Sequence, residues 1–265
     1  MGKENLSPPL KEIWSGQTKT RLGMLIDPPK QSPAVSKERS IEFAKCGGEV
    51  ILIGGSGFID EDIFQETVQA VLDAKTRFPV IIFPGHIGQI PKNPQGIAGV
   101  LNYQLILGEK GSDFDIAFPP RARVKLNEVL RQRGIPSIST LYILCGDPEA
   151  SVSRVSGIYP VDLGQKGEPE RVLNEVEKWL ERKIDCVFLD AGSGAKKSVV
   201  PGVALSVRYL INKVSPETLL FVGGGIVEPE QAKAYKGVAD CISVGTYFEN
   251  NGVVNVDLFI SAIQN

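Results

Sequence analysis

Short apolar runs rich in β-branched residues alternate along the chain with stretches whose apolar residues recur at helical spacing. The runs RLGMLID (21–27), EVILIGG (49–55), PVIIFPG (79–85), VLNYQLIL (100–107), SISTLYIL (137–144), CVFLDAG (186–192), LLFVGGG (219–225) and CISVGTY (241–247) predict eight strands. Over 200–214, Val203, Val207, Leu210, Ile211 and Val214 fall on one helical face, as do Val256, Phe259, Ile260 and Ile263 in the last segment. Asp60 stands where it can cap a helix over 61–77, and Pro169 opens another over 169–182. One gap breaks the pattern. In HIGQIPKNPQGIAG (86–99), Pro91, Pro94 and three glycines predict a missing or much reduced third helix.

Repeated βα units predict an α/β protein with a single domain over 1–265, a modified (β/α)8 TIM barrel with 1–20 as an N-terminal extension. A doubly wound open sheet is the alternative. Glycine-rich ends recur at strands 2, 6, 7 and 8, and strands that converge on one site favour the closed barrel, whose function lives at the C-terminal rim.

Composition narrows the class. With 42% apolar and 23% charged residues the chain is globular rather than disordered, and a net charge of −2 gives no basic excess for nucleic acid or an anionic membrane. The four cysteines (Cys46, Cys145, Cys186, Cys241) form no CxxC pair, which argues against a zinc ribbon or a disulfide scaffold and fits packing residues in a reducing compartment. The segment MGKENLSPPLKEIW is polar, and no apolar run reaches the roughly 18 residues of a membrane span. A cytoplasmic enzyme is the expectation.

Candidate chemistry lies at the predicted strand ends. VGGGI (222–226) and VGTYFEN (244–250) end the last two strands, where barrel loops commonly hold phosphate. Glycine lets a ligand approach the backbone, and helices expected near Glu228 and Asn251 would add positive ends. The plainer reading is that these glycines only make tight turns. FLDAGSGA (188–195) ends strand 6 with Asp190, which can orient or deprotonate a hydroxyl, or merely cap its loop. LIDPPK (25–30) sets Asp27 ahead of two prolines, and Asp27 with Ser56 of GGSGF (54–58) makes a sparse oxygen site suited to Mg²⁺. His86, the one histidine, follows FPG and is a candidate for an anionic or hydroxyl group, or a surface histidine.

Taken together, LIDPPK, ILIGGSGF, VIIFPG, FLDAGSGA, VGGGI and VGT resemble the geranylgeranylglyceryl phosphate synthase family, which includes the bacterial heptaprenylglyceryl phosphate synthases. The ordered set covers about residues 21–250 and is specific, whereas each motif alone is weak. The resemblance implies transfer of a prenyl group from an allylic polyprenyl diphosphate to a hydroxyl of glycerol 1-phosphate, with Mg²⁺ assistance. It implies Asp27 and Ser56 as Mg²⁺ ligands, and the mechanism expected of these residues has Asp27 and Asp190 as its catalytic carboxylates. It implies an acceptor site at Phe188, Leu189, Asp190, Ala191, Gly192, Ser193 and Gly194, and phosphate loops at Gly224, Gly225, Gly245 and Thr246. A homo-oligomer, in the first instance a dimer, with transient membrane contact for the product, is the matching expectation.

Three departures fall on the acceptor side. The family pattern is Tyr-Leu-Glu-Ala-Gly-Ser-Gly-Ala where this chain has FLDAGSGA, so Phe188 lacks a phenol and Asp190 is one methylene short. His86 stands where a smaller polar residue is common, and the stretch from Tyr103 to Pro120 diverges. These changes are similar to those expected of a carboxylated acceptor, as in the phosphoglycerate prenyltransferase of moenomycin-type antibiotic biosynthesis. Glycerol 1-phosphate and 3-phosphoglycerate both stay open. Rival readings are a sugar-phosphate isomerase or aldolase, for which no rim Lys or Glu presents itself, and a non-catalytic phosphate-binding barrel. No DDxxD motif points to a helical prenyl synthase.

Overall fold

The computed structural model of the protein describes residues 14, 19–55, 60–105, 120–146, 150, 153 and 160–264. Eight strands are present: β1 (Arg21–Ile26), β2 (Val50–Gly55), β3 (Val80–Pro84), β4 (Ile97–Leu105), β5 (Ser137–Leu144), β6 (Cys186–Asp190), β7 (Leu219–Gly223) and β8 (Cys241–Val244). Each pairs parallel with the next, and β8 returns to β1 with Met24 opposite Val244, so the sheet is a closed barrel and not a doubly wound open sheet. Closure explains the composition of the strands. Residues such as Val50, Ile51, Leu52 and Ile53 are buried on both faces, one towards the barrel interior and one towards the helices.

The helices start at their caps. Helix α1 (Pro33–Lys45) begins after Ser32, whose hydroxyl accepts the Val35 N–H, and α2 (Glu61–Leu72) after Asp60, which accepts the Asp62 N–H at 2.8 Å. Helix α2 stops at Leu72 instead of reaching 77, because the chain turns left-handed at Lys75 (φ 50°). After β3 only a 3-10 turn, Ile87–Gln89, stands where a full helix would lie, as the prolines require. Strand β4 begins at Ile97 rather than 100, since Ile97 already pairs with Val80. The remaining helices are α3 (Pro120–Arg133), α4 (Glu168–Leu180), α5 (Pro201–Val214), α6 (Pro229–Lys233), α7 (Thr246–Asn251) and α8 (Val256–Gln264).

A second helix boundary also departs from the sequence expectation. The helix expected to start near Asn251 ends there: α7 begins at Thr246, directly after β8, and Gly252 (φ 68°) closes it. Within the segment expected as an extension, Trp14 is fully buried, its ring 5.7 Å from that of Phe221 and 5.2 Å from the Arg21 guanidinium. Cys145, Cys186 and Cys241 are buried and unbridged, in keeping with packing roles, whereas Cys46, at the C-terminal cap of α1, is exposed and departs from that expectation. Among the described residues no helix is long and apolar enough to cross a membrane.

Candidate active site

Strand alternation gathers one set of side chains at the C-terminal mouth of the barrel. Leu25 and Asp27 come from the end of β1, Phe83 from β3, Tyr103 from β4, Tyr142 from β5, Phe188 and Asp190 from β6, and all line a single cavity. Its opposite wall is backbone, from Gly223, Gly224 and Gly225 after β7 and from Gly245 and Thr246 after β8. Phe83 is the hub of an aromatic floor, with ring centroids 5.5 Å from Tyr103, 5.6 Å from Tyr142 and 5.2 Å from Phe188. Contacts of this spacing pack the barrel centre.

Asp190 is held from two sides. The Tyr142 hydroxyl donates to its Oδ2 at 2.6 Å and the Gly192 N–H donates to its Oδ1 at 2.8 Å. The carboxylate is 8% exposed, and burial raises its pKa above the usual carboxylate value while the two hydrogen bonds pull it back down. Tyr142 is itself pushed well above an ordinary phenol, first by burial and then by the Asp190 charge, so it stays a donor. Tyr103 donates to the Pro84 carbonyl at 2.6 Å. Gly224 (φ 74°) is a glycine for a local reason: a Cβ there would stand 2.5 Å from Asp190 Oδ1 and 2.4 Å from the Gly192 nitrogen.

Asp27 sits across the cavity in a different setting. The two prolines make a 3-10 turn, in which the Lys30 N–H donates to the Asp27 carbonyl at 2.9 Å. That turn folds the Lys30 ammonium back to 3.0 Å from Asp27 Oδ2. The same ammonium lies 2.9 Å from Glu249 Oε2, on α7, and donates to Ser193 Oγ at 3.1 Å. Burial raises the Asp27 pKa, and the neighbouring Lys30 opposes the rise. Gly55 leaves the space, since a Cβ on it would come within 2.5 Å of Asp27 Oδ1.

The loops meet where the acceptor site is expected. The Gly194 N–H donates to Thr246 Oγ1 at 3.2 Å, which ties the β6 loop to the start of α7. Not every expected residue reaches the cavity. Leu189 and Ala191 are fully buried, and alternation turns Leu189 away from its neighbours Phe188 and Asp190. Gly192 and Gly194 direct their N–H groups to Asp190 and Thr246. His86 is exposed and outside the cavity lining, because its Nδ1 accepts the Gly88 N–H at 3.0 Å and caps the 3-10 turn. Ser56 lies outside the described residues.

Sequence reasoning misses four residues of this site: Tyr103, Tyr142, Lys30 and Glu249. Two signals were available, the strand-period position of Tyr142 in SISTLYIL and the three-residue spacing of Asp27 and Lys30 around two prolines.

Fold and site define a TIM barrel with an apolar, carboxylate-bearing cavity at its C-terminal mouth. The PcrB family matches residues 17–264, and the chain belongs to that family. A geranylgeranylglyceryl phosphate synthase of Flavobacterium johnsoniae is 32% identical over 233 residues, 87% of this chain and 88% of the relative. Among solved structures, wild-type GGGPS from Thermoplasma volcanium is similar with a TM-score of 0.80 and 28% identity, covering 96% of this chain and 97% of its own. The (S)-3-O-geranylgeranylglyceryl phosphate synthase of Thermoplasma acidophilum, solved with its substrate sn-glycerol-1-phosphate, is similar with a TM-score of 0.76 and 26% identity, covering 97% of this chain and 96% of its own.

Proposed function

We propose that the protein joins the prenyl group of an allylic polyprenyl diphosphate to a hydroxyl of glycerol 1-phosphate, forming an ether and releasing diphosphate. Asp190 is the observation that carries this reading: a buried carboxylate, doubly hydrogen-bonded, on the wall of an apolar cavity beside glycine loops. Family membership and the names of the relatives supply the substrate class.

In this reading the acceptor phosphate lies against the backbone after β7 and β8, where Gly224 and Gly225 allow close approach. The acceptor hydroxyl then reaches Asp190. The carboxylate orients it and takes its proton as the new C–O bond forms, and burial strengthens it as a base. Tyr142 and Gly192 fix the carboxylate so that one geometry is presented. The aromatic floor excludes the water that would otherwise capture an allylic cation.

Magnesium is part of the proposal. The donors around Asp27 are hard oxygens, and Asp27 Oδ1 is buried with no hydrogen-bond partner, so the residues fit a hard cation. An ion that keeps waters and takes its other ligands from substrate phosphate needs only a few protein oxygens. Asp27 would hold it, with Ser56 as the second expected ligand. When bound, the ion neutralises charge on the departing diphosphate.

His86 accepts the Gly88 N–H and lies outside the cavity lining, which favours glycerol 1-phosphate over the carboxylated acceptor. Incubation of the purified protein with Mg²⁺, radiolabelled polyprenyl diphosphates of several lengths and either acceptor tests both points. A solvent-extractable product with glycerol 1-phosphate is expected. Absence of product with every pair overturns the transferase reading, and product with 3-phosphoglycerate alone overturns the acceptor.

A further inference from the structure

The Lys30 ammonium is held between two carboxylates from opposite ends of the chain, and each of these has its other oxygen unanswered. Asp27 Oδ2 lies 3.0 Å and Glu249 Oε2 2.9 Å from the same Nζ. Asp27 Oδ1 and Glu249 Oε1 are both buried and make no hydrogen bond. Asp27 is 7% exposed and the Glu249 side chain 11%, while the Lys30 side chain is 37% exposed. One ammonium therefore answers one oxygen of each of two carboxyl groups and leaves the other two oxygens open, at the mouth that must admit a diphosphate. An unanswered buried carboxylate oxygen is costly unless something binds it part of the time.

Glu249 is well placed to stay where it is. Its helix starts directly after β8, its N–H donates to the Gly245 carbonyl at 2.9 Å, and Arg39 Nη2 donates to its own carbonyl at 3.3 Å. Lys30 is the member that can leave, since its ammonium sits on a long stem whose side chain is the most exposed of the three.

We infer that Glu249 is a second carboxylate of the cation site, sharing the divalent ion with Asp27, and that Lys30 is the resident counter-ion the metal displaces. Paired hard carboxylates complete the sparse site that Asp27 alone offers. The displaced ammonium turns outward at the mouth, where it answers the anionic substrate. This rests on the magnesium part of the proposed function.

Binding of Mn²⁺ without substrates, monitored by electron paramagnetic resonance of the free ion, separates the two claims. Wild type is expected to bind, Asp27→Asn and Glu249→Gln to weaken binding each by about tenfold or more, and Lys30→Met to tighten it severalfold because the competing ammonium is gone. If Glu249→Gln binds as wild type does while Asp27→Asn fails, the role of Glu249 is overturned and the magnesium reading stands. If wild type binds no Mn²⁺ even after inorganic diphosphate is added, both are overturned. Should Glu249→Gln not fold, Lys30→Met decides alone: unchanged or weaker binding overturns the displacement.

Discussion

Asp27 and Asp190 are two buried carboxylates on one cavity, and they are held in opposite ways. Asp190 is surrounded by neutral donors, a phenol and a backbone N–H, each aimed at a different oxygen. Asp27 has a cation on one oxygen and nothing on the other. Neutral donors fix the direction of a carboxylate without cancelling its charge, which suits a group that must accept a proton from a hydroxyl. An ammonium on one oxygen leaves the second open, which suits the metal-holding role proposed for Asp27. In the proposed function the same residue type thus takes two tasks, and the neighbours decide which.

The largest effect should come from the Asp27 side. Asp27→Asn is expected to lower kcat/KM by on the order of 10³-fold, the scale on which removal of a charge-stabilising group acts. Circular dichroism should show an unchanged fold, because Lys30 keeps Glu249 as a partner. Turnover near wild type at saturating Mg²⁺ would show that the carboxylates do not divide the work in this way.

Tyr142→Phe tests the other half with a smaller change. The phenol lowers the pKa of Asp190, so its removal raises that pKa further and moves the acid limb of the pH profile upward. The expected loss is about ten- to a hundredfold in kcat at neutral pH, recovered in part at higher pH. An unshifted profile would mean that Asp190 is not the titrating base.

Asp190→Asn reads the cost of the buried charge on stability. The folded pKa lies above the ordinary aspartate value of 3.8, so the native state of the wild type binds the proton more tightly than the unfolded chain does. The stability this group contributes is fully present below 3.8 and is lost as pH rises through the folded value. Asparagine keeps an acceptor and removes the charge. Its Tm should exceed that of wild type at neutral pH, at roughly 2–4 °C per kcal/mol for a chain of this size, with the gap closing towards acid pH. Thermal scans at the two pH extremes check the sign.

The two carboxylates also differ in how much of their surroundings the sequence makes legible. Strands, caps and the missing third helix are local: Asp60 caps the helix that begins at the next residue, and Pro91 and Pro94 exclude a helix whatever lies around them. The rim glycines, Asp27 and Asp190 are legible because strand ends are. Lys30 and Glu249 are 219 residues apart and meet only because β8 closes on β1. Tyr142 lies at a period-two position of its strand, but the period does not say which face is the interior. Phe188 without a phenol reads as a loss, yet Tyr142, paired in register beside it, brings a phenol to the same carboxylate.

The smallest effect is expected at His86, and it bears on the acceptor. Its position just beyond β3 is as the sequence implies, but side-chain direction is set by the backbone. At φ −152° and ψ 155° the residue is extended, and its Nδ1 serves as the cap of the 3-10 turn by accepting the Gly88 N–H. A serine hydroxyl can accept from the same N–H, so His86→Ser exchanges one local cap for another on an exposed loop, a change of about 0.5 kcal/mol or less. Affinity for glycerol 1-phosphate should therefore stay within about twofold of wild type. The ratio of glycerol 1-phosphate to 3-phosphoglycerate binding should not move either, because His86 lies outside the cavity lining. Isothermal titration of both acceptors against both proteins measures this directly. A selective loss of 3-phosphoglycerate in the variant would bring His86 back to the site and reopen the carboxylated acceptor.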